Sequence, residues 1–374
     1  MFKSVLLLGH FRGIRLEVHV SWLFIFALLV VTMSTGLQQQ FSHWSLGVAI
    51  TTAVVTALAF FASILAHELG HSLVAMKRGI PVKAITLFIF GGMAQMSSEA
   101  KTAGDEFKIA IAGPIVSLVL ALTFAVLSGL TIWLPEPVSV ALGWLAVINL
   151  VVAIFNMVPG FPLDGGRVFR ALVWKLTGDA SKGNRAAVAG GRLVSYGLFG
   201  LGLWNILVIG NLIGGLWAIL IGWFLLSMAE GHGRSYDLRE RLTGTRARDL
   251  ADSALPMVAP ETPIEEWVNQ QVLPKGERAA LVGERGQVHG LVSLSDARRM
   301  ARDQWPSTPV RDVMTPLDQL ITVEADTPAT DVLMLMNEKN LNQIPVMDDK
   351  RPSGWIDRQR ILRSIELHME LNRR

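Results

Sequence analysis

The chain has 374 residues, 51% of them hydrophobic and only 17% charged; soluble domains carry about 25% charged residues, so a single water-soluble globule is excluded. It contains no cysteine, which excludes disulfides and thiolate ligands and leaves His, Asp and Glu to hold any metal ion. The net charge of +3 does not point to nucleic acid, because the basic residues stand in loops beside apolar runs, where they set orientation and meet anionic lipid.

Residues 1–230 read as a membrane domain, 231–245 as a linker and 246–374 as a soluble region. Lys3 and Val5–Leu8 begin like a leader, but His10, Arg12, Arg15, Glu17 and His19 interrupt it, so the first long span is expected to be retained. Between Gly13 and Val20, apolar Ile14, Leu16, Val18 and Val20 alternate with Arg15, Glu17 and His19, the period of a strand. Spans near the ~20 residues that a hydrocarbon core requires fall at 19–36, 48–76, 107–130, 138–158, 193–209 and 212–230. Only Gly210 and Asn211 separate the last two, which form a tight hairpin. Ile80–Ser98 is too short for a span and is broken by Gly91-Gly92, while Val82, Ile85, Thr86, Phe88 and Ile89 favour strands. A hairpin dipping into the membrane beside the second span is expected there, shielded by protein or lining a wet cavity.

The connections at 37–47, 131–137 and 210–211 carry no Lys or Arg, whereas the others hold Lys77, Arg78, Lys108, Arg167, Arg170 and further basic residues. The positive-inside rule then puts both termini and the tail in the cytoplasm. Trp22, Trp44, Trp133 and Trp144 suit interface anchoring. From about Thr245 the tail repeats itself, near 246–303 and again near 308–367. Each copy combines a Pro-marked lead-in (Ala259-Pro260, Met314-Thr315-Pro316), an amphipathic helix, a short apolar strand and a closing helix. Paired α/β units of this kind share a core.

The chemistry lies in His67-Glu68-Leu69-Gly70-His71, at the end of the second span. Ionisable groups at the bilayer centre cost ~2.5 kcal/mol or more each, and so mark function. Residues four apart on a helix share a face, so both imidazoles can reach one metal ion while Glu68 stands beside it as general base for water. A second constellation, Asn156-Met-Val-Pro159-Gly-Phe-Pro162-Leu163-Asp164-Gly165-Gly166-Arg167, follows the fourth span at the same expected depth. Catalytic zinc takes three protein ligands, and without cysteine Asp164 is the candidate third. The prolines unwind the helix end, and the glycines allow close backbone approach. Asn149, seven residues before Asn156, is expected to bond a neighbouring helix, and His43 to be solvated.

A span carrying HELGH, paired with N-x-x-P-x-x-P-L-D-G-G near the end of a later span, resembles the site-2 protease family of intramembrane zinc metalloproteases. Gly113-Pro114 with Ser117 resembles that family's small-residue segment, and six spans followed by paired cystathionine-β-synthase (CBS) modules resemble a prokaryotic subgroup. The resemblance implies a polytopic α-helical membrane domain of about six transmembrane helices with a membrane-associated β-hairpin, plus a cytoplasmic α/β CBS-domain pair, in a prokaryotic cell membrane. It implies one zinc ion on His67, His71 and Asp164, with Glu68 passing a proton from water to the leaving amine. It further implies that Asn156 donates to the oxyanion and that substrate backbone pairs along Phe88, Gly91, Gly92 and Met93 by β-augmentation. The implied activity is hydrolysis of a peptide bond within or near a transmembrane segment of a membrane-protein partner. Gly290-Leu-Val-Ser293-Leu-Ser-Asp296 resembles the CBS segment whose hydroxyl and carboxylate hold a ribose, implying an adenine nucleotide at Ser293 and Asp296. The second copy has Asp357 and Arg360 where the hydroxyl and the carboxylate are expected. The alternative for the tail is a ligand-free homodimerisation unit. Rival readings of the whole chain are a CBS-gated transporter, which predicts repeats among the spans that the sequence lacks, and an inactive scaffold of the same fold.

Overall fold

The computed structural model of the chain describes all residues except 1–4, 90, 131–134, 243, 253–255, 285–286, 340, 349–350, 359–360 and 362–374. It divides into two compact units, residues 1–234 and 235–374. In chain order the helices from residue 1 to 241 are α1 (Ser21–Gln40), α2 (Leu46–Lys77), α3 (Ala103–Leu130), α4 (Glu136–Asn156), α5 (Asp164–Thr177), α6 (Ala180–Trp204) and α7 (Leu212–Arg241). All but α5 are long and apolar enough to cross a membrane, six among the described residues.

Local chemistry sets the ends of these helices. Ser45 caps α2, its hydroxyl accepting the Val48 N–H. Gly178, at φ +71°, closes α5 in the left-handed conformation, and Asp179 at once caps α6 by accepting the Ser181 N–H at 2.8 Å. Helix α6 begins 13 residues before the expected span at 193, because its first turns are amphipathic, with Lys182 and Arg185 flanking buried Gly183, Ala187 and Val188. The helix of α7 runs on through Arg241, over much of the expected linker 231–245, where no proline interrupts it.

Four strands form one sheet in the order β1-β2-β3-β4: Val5–Phe11, Ile14–His19, Val82–Phe88 and Gly91–Met96. The pairs β1–β2 and β3–β4 are antiparallel and β2–β3 is parallel. The expected hairpin is therefore half of a larger sheet, and Val5–Leu8, read as a leader-like start, opens its first strand. Arg12 and Gly13 both have positive φ, the two-residue turn that suits a hairpin. Ile14, Val82 and Ile85 bury one face of the sheet against Ala75 of α2 and Ile109 of α3, which fixes the sheet beside the HELGH helix.

The second unit has two cores. One gathers Val258, Ile264, Trp267, Val282 and Val292 with Val310; the other gathers Leu242, Ala247 and Leu250 with Val332, Ile344, Val346 and Ile356. The four strands β5 (Met257–Val258), β6 (Ala279–Glu284), β7 (Gln287–Ser293) and β8 (Thr315–Pro316) belong to one sheet. The three strands β9 (Val323–Glu324), β10 (Gln343–Asp348) and β11 (Arg351–Asp357) belong to the other. The lead-ins are exchanged: Asp252 N donates to Trp355 O at 2.8 Å, while β8 pairs with β7. The repeats at 246–303 and 308–367 are thus contiguous in sequence but crossed in packing. Arg360, Trp133 and the end of the second repeat, 362–367, lie outside the described residues.

Two polar expectations are corrected. Asn149 is buried but donates to Leu145 O of its own helix at 2.8 Å, so among the described residues its amide bonds within α4 and not to a neighbouring helix. His43 is not merely solvated, because its Nε2 lies 2.8 Å from Glu136 Oε2. Trp44 is buried and donates to the same carboxylate at 2.9 Å, so it ties the α1–α2 loop to α4.

Candidate metal centre

The turns of α2 put His67 and His71 on one buried face. α3 runs antiparallel beside it and meets that face through one stripe of residues. His71 Nδ1 lies 2.7 Å from Ile109 O, and His67 Nδ1 lies 2.8 Å from Ser117 Oγ. A carbonyl oxygen only accepts, so the His71 Nδ1 carries the hydrogen and Nε2 presents a lone pair. At His67 the hydroxyl of Ser117 can accept from the matching tautomer, which turns that Nε2 inward as well. Between these two anchors, Gly113 makes the room: a Cβ there would stand 2.6 Å from His67 Nε2 and closer still to His71 Nε2.

The third group comes from 93 residues further on. After α4 the chain turns through Met157–Leu163 and starts α5 at Asp164. Gly165 and Gly166 pack so tightly on the carbonyl groups of Met157 and Gly160 that any side chain would collide. Asp164 Oδ2 lies 3.1 Å from His67 Nε2 and 3.2 Å from His71 Nε2, and the two Nε2 atoms are 3.2 Å apart. Among the described residues this is the one cluster of His, Asp and Glu able to share an ion. Four ligand atoms set tetrahedrally at ~2.0 Å from one zinc ion stand about 3.3 Å from each other. The observed triangle is one face of such a tetrahedron. Two imidazole lone pairs and a carboxylate at this spacing repel one another unless a cation lies between them, so the donor set fits zinc.

Glu68 lies against Gly92 of β4: a Cβ at Gly92 would stand 3.1 Å from Glu68 Cδ and 3.2 Å from Oε1. The sheet edge and the carboxylate are therefore neighbours. Gly91 and Gly92 open β4 opposite Phe88 and Leu87, with Met93 opposite Thr86. β4 pairs with β3 alone among the described residues, which leaves its outer edge unpaired. Asn156 is the last residue of α4, half-buried, and its side chain makes no hydrogen bond among the described residues. In the tail, Ser293 and Asp296 are brought together, but as a helix cap. Ser293 Oγ donates to Asp296 Oδ2 at 2.6 Å and Ser293 N to the same oxygen at 3.0 Å.

The sequence did not reveal the charge network next to the centre. Arg167, one turn beyond Asp164, donates through Nε to Glu106 Oε1 at 3.0 Å, and Arg170 reaches Glu99 Oε2 at 2.8 Å. Glu106 and Arg170 are buried. Burial weakens the Arg167 cation, yet Glu106 more than offsets this and keeps it above its ordinary value. The available signal was the spacing of Asp164, Arg167 and Arg170 along one amphipathic helix. Charges just outside an apolar run, however, read as solvated.

Residues 55–140 and 135–196 match the family model for peptidase family M50, and residues 310–367 match that for the CBS domain. A Synechocystis protein assigned as a zinc metalloprotease, sll0528, is 37% identical over 93% of this chain and 91% of its own length. Rip3 of Mycobacterium tuberculosis, with the same assignment, is 36% identical over 89% of this chain and 86% of its own length. The solved site-2 protease of Methanocaldococcus jannaschii is 28% identical, with a TM-score of 0.42, covering 62% of this chain and 95% of that one.

Proposed function

Because this chain belongs to peptidase family M50, the site-2 protease family of zinc metalloproteases, we propose that it hydrolyses a peptide bond within or near a transmembrane segment of a membrane-protein substrate. The observation that carries this reading is the triangle of His67 Nε2, His71 Nε2 and Asp164 Oδ2. These three residues would hold the zinc ion. When bound, the ion supplies Lewis acidity to the scissile carbonyl and lowers the pKa of water toward ~7.

The rest falls to the chain's own groups. Glu68 accepts the proton of the attacking water and returns it to the leaving amine. Asn156, whose amide makes no hydrogen bond among the described residues, donates to the oxyanion of the tetrahedral intermediate. A substrate in helical form has every carbonyl tied up, so it must unwind before attack. The unpaired edge of β4 at Gly91, Gly92 and Met93, with Phe88 at the hairpin end, supplies backbone partners for the extended strand and lays it beside Glu68. Ile109 O and Ser117 Oγ orient the two imidazoles.

The basic loops support a topology with both termini and the CBS pair in the cytoplasm. The tail would regulate cleavage through an adenine nucleotide at Ser293 and Asp296, with self-association as its alternative role. Calorimetric titration of ATP and AMP into the full chain and into Asp296→Ala separates the two.

The deciding experiment compares membrane-protein fragments released by wild type and by Glu68→Gln, with zinc measured in both. Fragments present only with wild type, at equal zinc content, are expected. Cleavage retained by Glu68→Gln would remove the general-base role.

A further inference from the structure

A groove of about 640 Å³ runs between α2 and α3 beside the metal centre. Its floor is Gly70, packed so closely on α3 that a Cβ would stand 2.9 Å from Val116 Cγ2 and 3.1 Å from Ala112 O. Leu73, Val74 and Ile115 make its walls apolar, and Lys77, Arg78 and Lys108 close one end. Arg78 faces Asp105 at 3.4 Å. Lys77 and Lys108 are exposed and have no carboxylate partner among the described residues. That end therefore carries three cations against one anion. From Lys77 back to Gly70 the helix rises about 10 Å, and from Lys108 to Val116 the antiparallel helix rises about 12 Å. The groove thus starts among cations at the helix ends and runs apolar toward the membrane interior, where Ile115 is half exposed.

We propose that this groove is a binding site for one anionic phospholipid, its phosphate held by Lys77, Arg78 and Lys108 and an acyl chain lying over Gly70 between Leu73, Val74 and Ile115. Cationic pockets between transmembrane helices are suited to anionic head groups. An apolar transmembrane segment would fill the apolar part and leave the three cations unanswered, whereas a phospholipid answers both ends of the groove, so the charge pattern favours lipid. The bound lipid spans α2 and α3 at Gly70, between Glu68 and His71, and so braces the two helices that hold both imidazoles. This site does not depend on the proteolytic reading.

The test is native mass spectrometry of the full-length protein released from nanodiscs holding equimolar phosphatidylglycerol and phosphatidylcholine with identical chains. Wild type is expected to retain one phosphatidylglycerol in preference to phosphatidylcholine. Lys77→Gln/Lys108→Gln is expected to weaken that retention about 30-fold, from ~1 kcal/mol per basic residue at 1.4 kcal/mol per tenfold. Ile115→Trp, which fills the apolar part and leaves the cations in place, is expected to lose the lipid as well. Equal retention of the two lipids by wild type overturns the proposal, and so does phosphatidylglycerol preference surviving in both variants. A photocrosslinker at position 115 that captures polypeptide and not lipid also overturns it.

Discussion

A single methyl group at Gly113 would occupy the space in which the two imidazole Nε2 atoms meet. Neither ring can retreat, because Ile109 O and Ser117 Oγ hold their far sides. Gly113→Ala is therefore expected to abolish stoichiometric zinc while helix α3, already broken in its hydrogen bonding at Pro114, folds as before. Elemental analysis of the purified variant, alongside its circular dichroism, checks this. Asp164→Ala leaves the two imidazoles without the carboxylate, and zinc affinity should fall by more than the roughly 10–100-fold that loss of an outer-shell partner costs. Full occupancy would place the third ligand elsewhere. The candidate ligands are legible in the sequence because metal chemistry admits so few residue types: without cysteine, inward-facing His67, His71 and Asp164 leave little choice. Gly113 is legible only in part, since a glycine in an apolar helix signals close approach without saying what approaches. The Glu106–Arg167 pair is not legible at all, because pairing over 61 residues leaves no local pattern.

That pair acts at the scale of helices. α3 presents Glu106, Ile109, Gly113 and Ser117 along one stripe, and α5 presents Asp164 and Arg167 one turn apart, so the ion pair fixes the register of α5 against α3. Glu106→Gln would strand a largely buried guanidinium, at a cost of about 3 kcal/mol, and would loosen Asp164 relative to the histidines. A lower unfolding temperature in detergent and faster loss of zinc to a chelator are expected. Glu106→Leu/Arg167→Met should recover the unfolding temperature, since an apolar pair of similar volume can replace a buried ion pair. If chelator resistance is unchanged in Glu106→Gln, the network supports the fold and not the centre. The transmembrane helices are legible because the hydrocarbon thickness imposes length and composition together. Short amphipathic α5 and the first turns of α6 escape the same reading, because only one of their faces is apolar. The alternation at 13–20 reveals β2, but Val5–Leu8 is uniformly apolar and gives no period by which to tell a strand from a leader.

Across the whole molecule, the sequence repeat in the tail suggests two self-contained modules, yet hydrophobic cores close where apolar surface is available and not where the repeat boundary falls. Leu250, from the first copy, is buried with Val346 and Ile356 of the second, while Val310, from the start of the second copy, is buried with Val258 and Trp267 of the first. Nothing in a repeat pattern distinguishes a lead-in that packs on its own copy from one that packs on the other, because the same apolar residues are buried either way. The crossing makes a sharp prediction about where damage appears. Leu250→Ala removes buried methyl groups at a cost of about 3 kcal/mol, and the loss should fall on β9, β10 and β11, more than 70 residues away in the chain. Hydrogen exchange on the full-length protein is expected to speed up at Gln343–Asp348 and Arg351–Asp357 and to stay unchanged at Ala279–Glu284. Val310→Ala should show the mirror image. Exchange that quickens only within the mutated copy would mean that each module carries its own lead-in, and the tail would then be two independent folding units, not one interlocked pair.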